Sequence, residues 1–472
     1  MKQDLLILYW KKLRLSFLIS ACCFMYLLRF TWLKWGDLII DTGREAYVPL
    51  ALLSGRVLYR DIFYLYGPFP PYFNAFLFKI FGAHINTLVL SGAVTVCLCA
   101  VLIYKISRIF LNVFAATLTT LTFLFVFAFG NYYYAGIFNF ILPYSYPATF
   151  GILFSLAAIY FFYMGFSRRS MICAYLCALS STLVFLCRIE IGVAILLAFI
   201  IGLCACSDKK TVVRRLLFFI GVPVFFAFVI YALFFIISKE ALCKSNILSV
   251  FFSNISAGSI FTKNIFGADN SLKNLLIIGQ SFLYYISLFA LFIAGGFLVK
   301  NIKFKRPFLK WPAYYFVGAV VLYITYIFVK IFFSYNLQYR ILPIICLIVA
   351  SISILRFINN RKNIEYLFLI TLATFSFFLM FRVLLLAWAG HYGFYILPPA
   401  LIVYYIFFLK IIPDLFKQIH IRIFFTVCFI FLAIFFIISH FSVSKYFYQH
   451  KTLKISSPKG NIYVFNSDGG YK

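Results

Sequence analysis

Acidic side chains are scarce in this chain: 12 Asp and Glu in 472 residues, against 42 Lys and Arg. Charge of either sign is scarce as well, at 11% of residues where a soluble domain carries about a quarter. With 65% hydrophobic residues and a mean hydropathy of +1.02, that shortage excludes an ordinary soluble domain. Phosphate-cradling glycine loops are missing too, with neither a GxxxxGK[ST] run nor a strand-borne GxGxxG, which disfavours a nucleotide-driven pump. Cysteine numbers 12, almost all inside apolar runs, where it behaves as a small apolar side chain. The C-x-C pairs at 97/99 and 204/206 have no His or further Cys at ligand spacing, so no zinc site is expected. Only Cys243 lies well inside an outer loop, which leaves no basis for a disulfide framework.

What the chain has instead is apolar runs of roughly 20 residues, each long enough to cross the ~30 Å hydrocarbon layer. They do not alternate, so a closed β-barrel is excluded and the expected fold is an all-α polytopic membrane protein. Thirteen spans are expected, at 14–33, 84–104, 110–130, 146–166, 170–187, 190–206, 216–238, 275–299, 312–334, 342–358, 366–388, 396–411 and 421–440. The first apolar run is long, ends in "TWLKWGD" and has no A-x-A site, so it reads as an uncleaved anchor.

Alternate connections divide cleanly. One set is short and basic: Lys11/Lys12/Arg14, Lys105/Arg108, Arg168/Arg169, "DKKTVVRR", "KNIKFKRPFLK", "RFINNRK" and Lys410/Lys417/Arg422. This is the positive-inside pattern of loops facing an anionic cytoplasmic leaflet, and it accounts for the basic excess without a nucleic-acid partner. The other set is rich in aromatics and unusual polar residues, and includes the loop 34–83, "NYYYAGIFNFILPYSYP", "RIE" and "AGHYGFYILPP". The expectation is a plasma (inner) membrane protein with its N-terminus cytoplasmic and its C-terminus extracytoplasmic. Residues 1–441 form one membrane domain. Residues 442–472 are a short tail in which "KISSPKGNIYVFN" can make a hairpin turning at Pro-Lys-Gly.

The scarce carboxylates crowd into the first outer loop. Asp37, Asp41, Glu45 and Asp61 lie in or beside "DTGREAYVPLALLSGRVLYRDIFYLYGP". Three of them spaced four apart would repel on one helix face, so a helix starting between them is favoured. "TGRE" fits a capping box with Thr42 as N-cap and Glu45 three positions on. That helix runs to Gly55 with Pro49 near its first turn, and a second, amphipathic surface helix spans "PFPPYFNAFLFKIFG" to Gly82. A cap role explains Glu45 in part and leaves Asp41 unexplained. Arg60–Asp61 reads either as part of a site or as a surface ion pair.

An acidic motif in a long first outer loop, two surface helices and about thirteen spans resemble the GT-C superfamily of integral-membrane glycosyltransferases. The order acidic residue, helix, Gly, "Y-x-D", "GP", helix, "FG" over 37–82 is similar to the branch of the protein O-mannosyltransferases and lipid A aminoarabinose transferases. "RIEIG" and "YRILP" look like further features of that family. The resemblance implies a GT-C-like fold and transfer of a sugar from a polyprenyl-phosphate donor to a lipid, glycan or protein acceptor on the non-cytoplasmic face. A lipid-linked donor also agrees with the missing nucleotide loops. Many members carry adjacent Asp-Glu where this chain has Asp41 and Glu45 separated, with Arg44 just before the Glu. Asp41 is then the favoured base, while Glu45 and Asp61 either orient it or hold a divalent ion, and no other cofactor is implied.

Such chemistry needs a base near the acceptor hydroxyl and cations near the departing phosphate. Arg44, Arg60, Arg188 beside Glu190, Arg340 in "NLQYR", and Arg382 within an apolar span are the outer-side candidates, with His391 and Tyr392 in "GHYGFY". Charges at membrane depth cost about 2.5–3.5 kcal/mol at the centre on insertion scales, so they mark function by default. Each also has a plainer reading. Arg188 pairs with Glu190, Arg340 and Lys330 snorkel, Arg382 satisfies helix carbonyls, and His391 is interfacial. Outer aromatics read as an interfacial belt, and the 64 Phe as lipid-facing filler. Two other functions compete with the transferase. A transporter or flippase would need acids at mid-membrane, where only Glu190 comes close. A non-catalytic subunit of an envelope-glycan assembly would not need Asp41.

Overall fold

The computed structural model describes residues 2–37, 41–205, 209–238, 270–302, 310–361, 363–381, 386 and 388–465. Helices dominate it. Helix α1 spans Lys2–Phe30, α2 Asp41–Leu53, α3 Phe69–Phe81 and α4 Ile85–Phe110. Helix α5, Val113–Thr122, continues as a π-helical turn to Ala128. Then come α6 (Tyr146–Arg168), α7 (Met171–Cys187) and α8 (Ile189–Cys204). Helix α9 (Lys209–Leu216) leads through a π turn into α10 (Val222–Ser238). The second half holds α11 (Ser271–Asn301), α12 (Lys310–Phe332), α13 (Leu342–Asn359) and α14 (Ile364–Met380). It closes with α15 (Gly393–Ile406), a four-residue α16 (Ile412–Leu415) and α17 (Ile419–His450).

Among the described residues, 9 helices are long and apolar enough to cross a membrane, and four shorter apolar helices occupy the remaining expected positions. Each of the thirteen expected spans therefore falls on helix, and the chain is a multi-pass membrane protein. Several boundaries differ, with α1 starting at Lys2 and α4 running on to Phe110. The span expected at 366–388 stops as a helix at Met380, and the last one runs on to His450.

Helix α15 is the axis of the bundle. All of its residues are buried, which agrees with an apolar character on every side and no preferred face. Helix α1 is peripheral, presenting Phe17 and Leu18 outward. The phenylalanines are not mainly lipid-facing filler. Phe123, Phe127, Phe292, Phe394, Phe429 and Phe436 are all fully buried and pack against other rings, edge-on or tilted. Lipid is as apolar as the side chains, so helices associate through close packing, and large flat rings supply contact area.

The surface helices form as expected, with different ends. Helix α2 begins at Asp41, so Thr42 lies inside it and its hydroxyl accepts from the Asp37 backbone N–H at 2.9 Å. The expected capping box is absent, because Glu45 is drawn away to other partners. Pro49 sits deep in α2 and not in its first turn, and the helix ends four residues later. Helix α3 starts after Pro68 and stops at Gly82, whose φ of +87° suits a residue without Cβ. It packs on α2 and against α4, α6 and α7.

The tail makes the expected antiparallel hairpin, Lys451–Ser457 with Gly460–Phe465. It borrows the main core, burying Ile462 and Val464 there. Its backbone ties to both ends of the first outer loop, through Tyr463 N–H to Leu33 O at 2.8 Å and Ile85 N–H to Lys459 O at 2.9 Å.

Candidate active site

Arg44 is the hub of the first loop. Its Nη1 donates to Asp41 Oδ1 at 2.9 Å and its Nη2 to Glu45 Oε1 at 3.1 Å, while Nη2 also reaches the Tyr144 carbonyl. The other Glu45 oxygen accepts from Tyr146 N–H at 3.2 Å. Glu45 thus clamps α2 to the first residue of α6. It is 4% exposed, whereas the Asp41 side chain keeps 26% of its surface open. Burial raises the pKa of both carboxyls, against the pull of Arg44. Burial also opposes the Arg44 charge, but Glu45, Tyr66 and Asp41 more than offset that and hold its pKa above the ordinary value.

A second guanidinium comes from the one-residue break between α7 and α8. Arg188 is 1% exposed, with Nη1 donating to Tyr395 Oη at 2.8 Å and lying 3.2 Å from Glu190 Oε1. It lies against three rings, with Cζ 4.3 Å from the centroid of Tyr66, 5.5 Å from Tyr395 and 5.7 Å from Tyr144. Tyr66 is shared, since Arg44 Cζ sits 5.3 Å from the same ring. Gly67 makes this junction possible. Its N–H donates to Cys187 O at 3.0 Å, and a Cβ there would fall 2.1 Å from Leu186 O. The backbone of the first loop can therefore touch the end of α7 and lay Tyr66 on Arg188.

Buried polar groups with unused hydrogen-bonding capacity gather here. Among the described residues, Tyr64 Oη has no partner, and the Arg188 guanidinium, bonded to Tyr395 and in contact with the Tyr144 hydroxyl, keeps donor capacity to spare. Tyr64 interacts electrostatically with Glu45, Arg44 and Arg188, so these groups share one neighbourhood. Buried donors with capacity to spare mark a place for a polar ligand.

The expected site residues divide into three groups. Asp41, Arg44, Glu45, Arg188 and Glu190 come together, joined through Tyr144 to Tyr392 (centroids 5.2 Å) and His391, which lies 4.5 Å from Tyr392. Asp61 and Arg60 do not join them. They form an exposed pair at 2.9 Å, and Asp61 also accepts from Val57 N–H, which holds its carboxyl down to about 2. Arg340 is buried and pushed down to about 10 by that burial. Its neighbour Tyr339 packs on His440, in an aromatic group that meets His391 through Tyr335 and Trp388. Arg382 lies outside the described residues, as does Cys243.

Sequence reasoning missed Tyr64, Tyr66, Tyr144 and Tyr395. The aromatic density of the outer loops was their one signal, and it was read as an interfacial belt.

A divalent ion fits this arrangement poorly. Arg44 stands between Asp41 and Glu45 where an ion would sit, and no group of three or more His, Cys, Asp or Glu is assembled among the described residues.

Residues 66–250 match the family model of the dolichyl-phosphate-mannose-protein mannosyltransferases. No curated protein matches the chain. Among solved structures, the oligosaccharyltransferase of Archaeoglobus fulgidus, solved with zinc and sulfate, is similar at 14% identity and a TM-score of 0.50, over 90% of this chain and 53% of that one. The same organism's oligosaccharyltransferase AglB, with an inhibitory peptide and a dolichol-phosphate, gives 16% identity and a TM-score of 0.48, over 93% and 56%. ArnT of Cupriavidus metallidurans, bound to undecaprenyl phosphate, gives 13% identity and a TM-score of 0.40, over 80% and 77%. The chain spans about half the length of the archaeal enzyme chains it matches. Its fold resembles that of the archaeal oligosaccharyltransferase, and its residues 66–250 carry the pattern of the dolichyl-phosphate-mannose-protein mannosyltransferase family.

Proposed function

We propose that this protein transfers a sugar from a polyprenyl-phosphate donor to a hydroxyl of a lipid, glycan or protein acceptor, on the non-cytoplasmic face of a plasma membrane. The acceptor oxygen attacks the anomeric carbon as the bond from that carbon to the phosphate oxygen breaks. The electron pair leaves with the polyprenyl phosphate, and the acceptor proton passes to Asp41. Direct attack of this kind inverts the anomeric centre.

The buried donors of Arg188 and Tyr64 carry the reading. They are preorganised to meet negative charge that grows on the phosphate, in a site where burial strengthens each hydrogen bond. Asp41 is the base because it alone of the two Arg44-bound carboxylates is open to a substrate. Glu45 acts as a clamp that positions Arg44 and Tyr144. Zinc accompanies the archaeal enzyme, but no step is routed through a metal here, since Arg44 already occupies the space between the two carboxylates.

The test is transfer from a panel of radiolabelled polyprenyl-phosphate sugars in membranes, wild type against Asp41→Asn at equal protein level, each with and without EDTA. Loss of a general base costs about 10²–10⁴ in rate. The expected result is that loss in the variant and no effect of EDTA. Undiminished transfer by Asp41→Asn removes Asp41 as base. Loss with EDTA would put an ion between the carboxylates after displacement of Arg44.

A further inference from the structure

At the opposite end of the bundle from Asp41 lies a cavity of about 1260 Å³, a groove between α1, α4, α5 and α6. It lies far from the candidate site. Helix α4 begins beside the first outer loop and ends at the groove's mouth, and its 26 residues span about 39 Å at 1.5 Å per residue. The groove walls are apolar, with Phe17, Phe24, Val101 and Leu124 among them. Its mouth is cationic: Arg14 from α1, Lys105 and Arg108 from α4, and Arg168 from α6 all line it, and among the described residues no Asp or Glu does. Arg14, Lys105 and Arg168 are exposed, and Arg108 is partly committed to the Leu111 carbonyl. The Tyr104 hydroxyl, also in the lining, is buried with no hydrogen-bond partner among the described residues.

An apolar trough with four cations and an unsatisfied hydroxyl at one end has the shape and charge of a headed lipid. We infer that this groove holds an anionic glycerophospholipid, its phosphate between Arg14, Lys105 and Arg168 and an acyl chain against Phe17 and Leu124. Charge complementarity sets this lipid apart from the neutral bulk. A bound lipid also completes the packing of α1, which otherwise buries little of itself against the bundle. The inference is independent of the proposed transferase reaction.

Native mass spectrometry of the purified full chain tests it, with added phosphatidylglycerol, phosphatidylcholine or undecaprenyl phosphate. Wild type should retain one phosphatidylglycerol at least ten-fold more tightly than phosphatidylcholine. Arg14→Gln/Lys105→Gln should lose that preference, and the charge-matched control Lys300→Gln/Lys417→Gln should keep it. Val101→Trp, which fills the groove and leaves the cations in place, should weaken retention just as strongly and serves if the double variant does not fold. Equal retention of both phospholipids, or an equal fall in the control, would overturn the inference as diffuse surface attraction. Preference for undecaprenyl phosphate would overturn it in favour of a carrier-lipid route.

Discussion

At the residue scale the chemistry turns on one arginine between two carboxylates. Arg44 holds Asp41 and Glu45 at hydrogen-bond distance, yet burial still leaves both with raised pKa values. A base works only when deprotonated, so with Asp41 in the proposed role activity is expected above the Asp41 pKa and lost as pH falls through it. Because that pKa is raised, the acid limb of kcat/KM should lie above the ordinary aspartate value of about 3.9. Arg44→Gln removes the charge that pulls it down, and should move the limb to still higher pH. A profile for Arg44→Gln that overlays wild type would mean another group sets the limb. Glu45 shows how little of this was legible beforehand. The spacing in "TGRE" fitted a cap, while its actual partners are its neighbour Arg44 and Tyr146, about a hundred residues away.

At the scale of elements, the decisive contact is backbone to backbone. Gly67 lets the segment before α3 touch the end of α7. Gly67→Ala should push the loop off Arg188 and lower transfer by at least ten-fold, while circular dichroism and Tm of the bundle stay near wild type. Activity unchanged in this variant would show that Tyr66 need not lie on Arg188. The hairpin offers a second handle. Lys451 is 1% exposed, its Nζ donating to Ala135 O at 3.1 Å, and burial pushes its pKa down to about 7 despite the opposing pull of Asp37. In the unfolded chain the same amine titrates near its ordinary value of about 10.4, so the unfolded state binds more protons between those limits. Folding is therefore penalised below about pH 7, and the penalty lifts as pH rises toward the unfolded value. Tm should climb between about pH 7 and pH 9 in wild type and stay flatter in Lys451→Met. Parallel curves would rule out Lys451 as the source.

At the scale of the whole molecule, charge between spans orients the chain. The positive-inside rule predicts Arg168 on the cytoplasmic side, with the first outer loop and the hairpin together on the other. The hydrogen bonds from the hairpin to Leu33 and Ile85 require those last two to share a face. Single cysteines at Ser54 and Lys459 should react with an impermeant maleimide added to intact cells, and one at Arg168 only after permeabilisation. Native cysteines would first be replaced, and none of those described is in a disulfide. Labelling of position 168 from outside would invert the topology.

Apolar length and basic spacing are local properties of a chain, so the sequence by itself determined a helical, multi-pass bundle, two surface helices ending near Gly55 and Gly82, and a terminal hairpin. It also pointed to the first loop, because carboxylates are conspicuous where they are rare. Which carboxylate stays open, and which rings surround Arg188, only the tertiary structure decided. Asp61 and Glu45 look alike in sequence, but one forms a surface turn and the other is sealed beneath Tyr146. Tyr66, Tyr144 and Tyr395 come from three distant segments, and an aromatic residue in a membrane protein suits an interface, a core or a site equally well. Their role depends on which backbone comes close to which, and that is fixed by long-range packing at a position such as Gly67, which no local pattern records.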